Sequence, residues 1–118
     1  MDATNGAIDQ CGAYILNGRY EFEDPNTSPS FQPNIHYQGV IVREASGRVR
    51  AYRDGILRVD LPNEGGCFQI SNNNLRFFQD DFQFGGEASA GNIARIRLFD
   101  AAMTTAQVQA LNRKLFEY

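Results

Sequence analysis

Three turn signals, each flanked by β-prone residues, fall in the first half of this chain and constrain its fold more than any other feature. Asn17-Gly18 separates Tyr14-Ile15-Leu16 from Arg19-Tyr20-Glu21-Phe22-Glu23. Ala45-Ser46-Gly47 follows a run from about residue 35 to residue 43 and leads into Arg48-Val49-Arg50-Ala51-Tyr52-Arg53. Asp54-Gly55 then turns the chain into Ile56-Leu57-Arg58-Val59. Two-residue connections of the Asn-Gly and Asp-Gly kind need positive φ at both positions, which Gly adopts without strain and Asn or Asp tolerates. Three such signals in close succession predict an antiparallel sheet.

Side-chain alternation agrees. Val49 and Ala51 fall on one face of their strand while Arg48, Arg50 and Tyr52 fall on the other, as a half-buried strand requires. Cys67-Phe68-Gln69-Ile70 and Leu75-Arg76-Phe77-Phe78 read as further strands around Ser71-Asn72-Asn73-Asn74. Residues 92–100 show the clearest alternation, with Ala94, Ile96 and Leu98 expected inward and Arg95 and Arg97 outward. One helix closes the chain. Thr104 is a good N-cap, Gln107 completes a capping box, and Met103 and Val108 are spaced to staple across it. Val108, Leu111 and Leu115 form an apolar stripe expected to pack on the edge of the fold. Many short strands with regular turns predict an all-β sandwich or barrel, here a single domain over residues 1–118.

Composition excludes several functions. The formal charge of -3 leaves no electrostatic footprint for nucleic acid. No apolar run is long enough to span a membrane, and the first residues lack the basic and apolar regions of a secretory signal. Cys11 and Cys67 allow one intramolecular disulfide or two buried thiols, and spacing leaves both open.

Several segments, in order, resemble one family. Gly91-Asn92-Ile93-Ala94-Arg95-Ile96-Arg97-Leu98-Phe99-Asp100, with the helix that follows, is similar to the closing strand and helix of laminin-G-like, concanavalin A-like jelly rolls. The stretch from Val40 through Tyr52-Arg53-Asp54-Gly55 resembles that family's central hairpin. Leu75-Arg76-Phe77-Phe78-Gln79-Asp80-Asp81 and Gly86-Glu87-Ala88-Ser89-Ala90-Gly91 resemble a bacterial laminin-G-like subgroup. The resemblance implies an antiparallel two-sheet jelly-roll sandwich with one short C-terminal α-helix, and a secreted or cell-surface setting. Members usually carry further strands before the region matched by Tyr14, whereas about a dozen residues precede it here. A reduced fold, a fragment, or strands supplied by another chain would each explain this. A sandwich short of strands exposes apolar surface and sheet edges, so a homo-oligomer is expected.

The resemblance implies glycan binding, protein adhesion or glycoside hydrolysis, and the residues discriminate among them. Hydrolysis needs two suitably spaced carboxyl groups. Glu21 and Glu23 share a strand face, but no third carboxylate follows in the pattern of the sandwich glucanases, and the chain has no Trp. His36, the single histidine, has no nucleophile-elbow motif to serve. The expected function is therefore non-catalytic recognition of carbohydrate, or alternatively of protein. Tyr14, Tyr20 and Tyr52 offer rings to stack on sugars, as does Tyr37, and Asn72, Asn73 and Asn74 offer amides to bind hydroxyls. Cross-strand packing and a plain turn explain the same residues. No cofactor is required. Asp80, Asp81 and Glu87 are the candidate ligands for Ca2+, a hard cation that takes oxygen donors. The same carboxylates could instead pin the loop around Ala88-Ser89-Ala90 through backbone N–H groups.

Overall fold

The computed structural model describes residues 14–16, 19–21, 32, 34–62 and 90–115. Strands β1 (Tyr14–Leu16) and β2 (Arg19–Glu21) pair antiparallel with Leu16 opposite Arg19, the register that a two-residue connection imposes. Asn17 and Gly18 themselves lie outside the described residues. Strands β3 (Gly39–Arg43), β4 (Val49–Arg53) and β5 (Ile56–Leu61) form a separate three-stranded antiparallel sheet in that order. Helix α1 (Thr105–Leu115) follows.

Both turns of the three-stranded sheet follow from their residues. At the first, the Gly47 N–H donates to the Glu44 carbonyl at 3.0 Å, and the Glu44 N–H donates to the Arg48 carbonyl at 2.9 Å. Gly47 takes the left-handed position of this three-residue loop, with φ 90°. At the second, Asp54 (φ 52°) and Gly55 (φ 75°) make the two-residue turn expected of Asp-Gly. The register shifts between Ala51 and Tyr52, because Ala51 faces Val59 and Tyr52 faces Leu57. Arg58 is thus an extra residue on β5, a bulge that adds local twist.

Alternation along β4 sorts the core into two layers. Val49, Ala51 and Val59 are buried on one face with Ile41 and Leu61 against them. Val42 and Tyr52 are buried on the other, together with Val108 of α1, and Val40 and Met103 pack around them. Each fully buried side chain of this size contributes roughly 1.5–3 kcal/mol.

The helix begins where the capping box places it. The Thr104 N–H donates to Gln107 Oε1 at 2.8 Å, and the Gln107 N–H donates back to Thr104 Oγ1 at 3.2 Å. Met103 and Val108 meet in one cluster, as the staple requires. Val108 rests on Val42 and Tyr52, so the helix packs on a sheet face rather than on the expected edge. Leu111 is half-buried. Among the described residues no helix is long and apolar enough to cross a membrane.

Two sequence expectations are corrected. The run expected from about residue 35 enters the sheet at Gly39, and Ile35 is exposed. Residues 92–100 form no strand pairing among the described residues, and Ala94, Ile96 and Leu98, expected inward, are exposed. Alternation reports which side chains can share a face; it does not supply the neighbouring strand that a ladder needs. The expected strands at residues 67–70 and 75–78 lie outside the described residues, as do Cys11 and Cys67.

A Cβ at Gly55 would sit 3.2 Å from the Cβ of Asn112, and its φ of 75° is strained for any other L-residue. Gly55→Ala is therefore expected to destabilise the protein by about 1–2 kcal/mol, read as a lower urea midpoint. Thr104→Ala removes the cap and is expected to cost about 1 kcal/mol in the same measurement.

Candidate functional site

The described polar side chains concentrate where α1 meets the sheet, and Arg50 is the centre of that group. It lies on β4 facing the helix, and its Nη2 donates to the Met103 carbonyl at 2.8 Å. The same nitrogen lies 3.0 Å from Glu44 Oε1. Nη1 donates to the Tyr52 hydroxyl at 2.8 Å, with a longer 3.4 Å contact to Thr105 Oγ1. Tyr52 and Thr105 hydroxyl oxygens stand 2.8 Å apart. Because the Tyr52 oxygen accepts from Arg50, its own proton is available to Thr105. A buried phenol without these partners would cost about 1–3 kcal/mol. One guanidinium thus ties a hairpin turn, a buried tyrosine and the helix entry together.

A second tie joins the Asp54-Gly55 turn to the far part of the helix. The Asp54 N–H donates to the Gln38 carbonyl at 2.9 Å, continuing the β3–β4 ladder by one bond. The return bond is made by the side chain: the Gln38 N–H donates to Asp54 Oδ1 at 2.9 Å. Positive φ at Asp54 turns its carbonyl away from the ladder, and Asn112 Nδ2 donates to that carbonyl at 3.0 Å. Elsewhere Arg53, buried at 6% exposure, lies with its guanidinium carbon 5.3 Å from the centre of the Tyr37 ring. The Tyr37 hydroxyl accepts from the Gln32 N–H at 2.8 Å.

Across the sheet surface Arg48 grips Asp60 with two bonds, Nε to Oδ1 at 2.8 Å and Nη2 to Oδ2 at 2.7 Å. That bidentate contact holds the Asp60 carboxyl below the usual carboxylate range, against a smaller opposing effect of desolvation. The same bond raises the Arg48 pKa.

The residues expected to bind sugar and metal fall in three places. Tyr52 has no exposed surface; its ring belongs to the helix–sheet core and its hydroxyl to the Arg50 network. Tyr14 and Tyr20 are described by backbone alone, with Tyr14 opposite Glu21 and Ile15 opposite Tyr20. That register puts positions 14 and 20 on opposite faces of their ladder. Asn72, Asn73, Asn74, Asp80, Asp81 and Glu87 lie outside the described residues. Among the described residues no group of three His, Cys, Asp or Glu side chains is arranged to hold a metal.

Two features were missed by sequence reasoning. The burial of Arg50 beneath the helix was hidden because arginine on a strand ordinarily marks a solvated face. The useful signal was its position on the same face as Tyr52, an aromatic that a helix can cover. The second feature is an exposed apolar arm. Residues 90–102 are exposed throughout, including Ile93 (43%), Ile96 (51%), Leu98 (70%) and Phe99 (52%). Beyond it, a shallow depression on α1 is lined by Met103, Gln107, Ala110 and Leu111.

Comparison with known proteins identifies a shared fold and goes no further. No family model and no curated protein matches the chain. Among solved structures, an S-layer domain-containing protein from Clostridium thermocellum (residues 221-444) is similar, with a TM-score of 0.55 at 12% identity. The likeness covers 73% of this chain and 43% of that one, so the chain spans less than half the length of its structural neighbour.

Asp60 generates a pH prediction with a definite sign. Its folded-state pKa is depressed, so its contribution to stability is present above the unfolded value of about 3.9. It fades as pH falls through the lower folded value. Asp60→Asn is expected to be less stable than wild type at pH 7, with the two denaturation midpoints converging in strong acid.

Proposed function

We propose that this chain is a non-catalytic recognition module of the laminin-G/concanavalin A-like kind, with carbohydrate as its ligand class. The two-sheet jelly roll is part of the proposal, as is a secreted or cell-surface setting. The carrying observation is the use to which the described charged groups are put. Arg50 with Glu44, Arg48 with Asp60, and Asp54 with Gln38 and Asn112 hold turns, sheet and helix together. Such an arrangement suits a rigid scaffold that presents loops, where binding residues are commonly placed. The described hairpins through residues 39–61 and the capped helix give this reading a β-rich frame to build on. Fold likeness to an S-layer domain-containing protein is compatible with a surface setting.

Sugar recognition rests on the amides of Asn72, Asn73 and Asn74 with one ring, Tyr14 or Tyr20, since those two positions lie on opposite faces of their ladder. Calcium is not required by this reading. If Asp80, Asp81 and Glu87 do hold an ion, they supply oxygen ligands of the type Ca2+ prefers. Protein recognition is the second reading, and the exposed apolar arm at residues 93–99 favours it. A glycoside hydrolase remnant built on Glu21 and Glu23 is third; turnover lost in Glu21→Gln or Glu23→Gln would be needed to support it.

A glycan array probed with the purified chain, once with calcium and once with EDTA, tests the proposal. Retention on a defined glycan class is expected, with a loss on the order of tenfold or more in Asn73→Ala. Retention abolished by EDTA would support a calcium-dependent site, to be located by substituting Asp80, Asp81 and Glu87. A blank array in both buffers would contradict carbohydrate recognition and leave protein binding.

A further inference from the structure

The Asp54-Gly55 turn brings together the groups of a reaction and, in the folded chain, holds them apart. An aspartyl carboxyl can close on the backbone nitrogen of the next residue, and a glycine there leaves that nitrogen unshielded by any side chain. Closure needs two rotations. The carboxyl carbon must swing about Cα–Cβ toward the Gly55 nitrogen. That nitrogen must swing about the Cα–C bond of Asp54 toward the carboxyl.

Each rotation is held by one hydrogen bond. The Gln38 N–H donates to Asp54 Oδ1 at 2.9 Å, which turns the carboxyl toward the β3 side of β4. Gly55 leads instead into β5, on the opposite side. Because the peptide unit is planar, the Asp54 carbonyl and the Gly55 nitrogen turn together. Asn112 Nδ2 donates to that carbonyl at 3.0 Å and so holds both. Asn112 lies one helical turn beyond Val108, which is fully buried against Val42 and Tyr52. The last turns of α1 can therefore open locally, freeing the carbonyl, while Val108 stays packed.

We propose that Asp54 is a site of spontaneous isoaspartate formation, closed by Gln38 and Asn112 and opened by release of the far end of α1. In the opened turn the Gly55 nitrogen bonds to Asp54 Cγ. One carboxylate oxygen leaves as water, taking the nitrogen's proton and one proton from solvent, and a cyclic imide remains. Water then adds at the main-chain carbonyl carbon of Asp54, and the bond from that carbon to the Gly55 nitrogen breaks. The nitrogen regains a proton, the new carboxyl returns one to solvent, and the chain now runs through Cγ. Nothing is oxidised or reduced, and water is the only co-reactant. The product adds an atom to the backbone of a two-residue turn and converts the carbonyl that accepts from Asn112 into a free carboxylate. It thus removes the contact that held the turn closed. This inference is independent of carbohydrate recognition.

Ageing the purified full chain at neutral pH tests it, with isoaspartate labelled by an isoaspartyl methyltransferase and located by peptide mapping. Formation at Asp54 is expected to be on the order of tenfold or more slower in the folded wild type than in the same chain unfolded in urea. Asn112→Ala is expected to raise the folded-state rate about fivefold, the effect of losing one hydrogen bond that opposes opening. Asn112→Leu keeps the side-chain volume, removes the donor and is expected to do the same. Thr104→Ala weakens the same helix at its other end without touching the turn, and is expected to change the rate less than either. Equal rates in folded wild type and unfolded chain would overturn the proposal. So would an unchanged rate at Asp54 in a folded Asn112 variant, an equal rise in Thr104→Ala, or no label at Asp54 even in urea.

Discussion

The hydrogen-bonded cluster of Arg50, Tyr52 and Thr105 is the contact on which the rest of the described structure depends. Tyr52 gives the helix-facing side of the sheet its largest buried side chain, and that burial is tolerable because its hydroxyl is partnered on both sides. Arg50 joins the same hydroxyl to the Met103 carbonyl, immediately before the N-cap, and to Glu44 at the start of the β3–β4 turn. Hydrophobic packing of Val108 on Val42 would allow the helix to slide or rotate. The directional bonds at its entry, with the Asn112 bond to Asp54 further along, fix where it lies.

Local chemistry explains how much of this was legible in the sequence. Asp54-Gly55, Gly47 and the Thr104–Gln107 box each specify a backbone geometry within a few residues, and each is found as its residues require. Residues 92–100 show the converse. Their alternation is as regular as that of β4, yet β4 has neighbours on both sides and residues 92–100 have none among the described residues. Pairing depends on a second segment brought close by the fold, and no local pattern encodes that. The candidate site divides in the same way. Tyr52 has sugar-binding chemistry in isolation, but the helix that covers it comes from more than fifty positions later in the chain. Arg50 shares that face, and its partner Met103 comes from equally far along the chain.

These contacts separate a fixed part of the molecule from an available part. Arg48 with Asp60 on the surface, and buried Arg53 with Tyr37, are ties that leave the sheet as a platform. The arm ahead of Met103 is anchored at one end and exposed along its length. A rigid base lowers the entropy lost when an exposed element becomes ordered against another surface. The capped helix serves this arrangement by holding the end of the arm against the sheet.

A double-mutant cycle between Tyr52→Phe and Thr105→Ala, measured by urea denaturation, tests the helix-docking account most directly. Tyr52→Phe removes the shared hydroxyl while keeping the ring, and the cycle cancels whatever Thr105→Ala does to helix propensity alone. A coupling of about 0.5–1.5 kcal/mol between the two positions is predicted. Additive effects, within about 0.3 kcal/mol, would show that the two side chains do not act together and would contradict the docking of α1 through this contact.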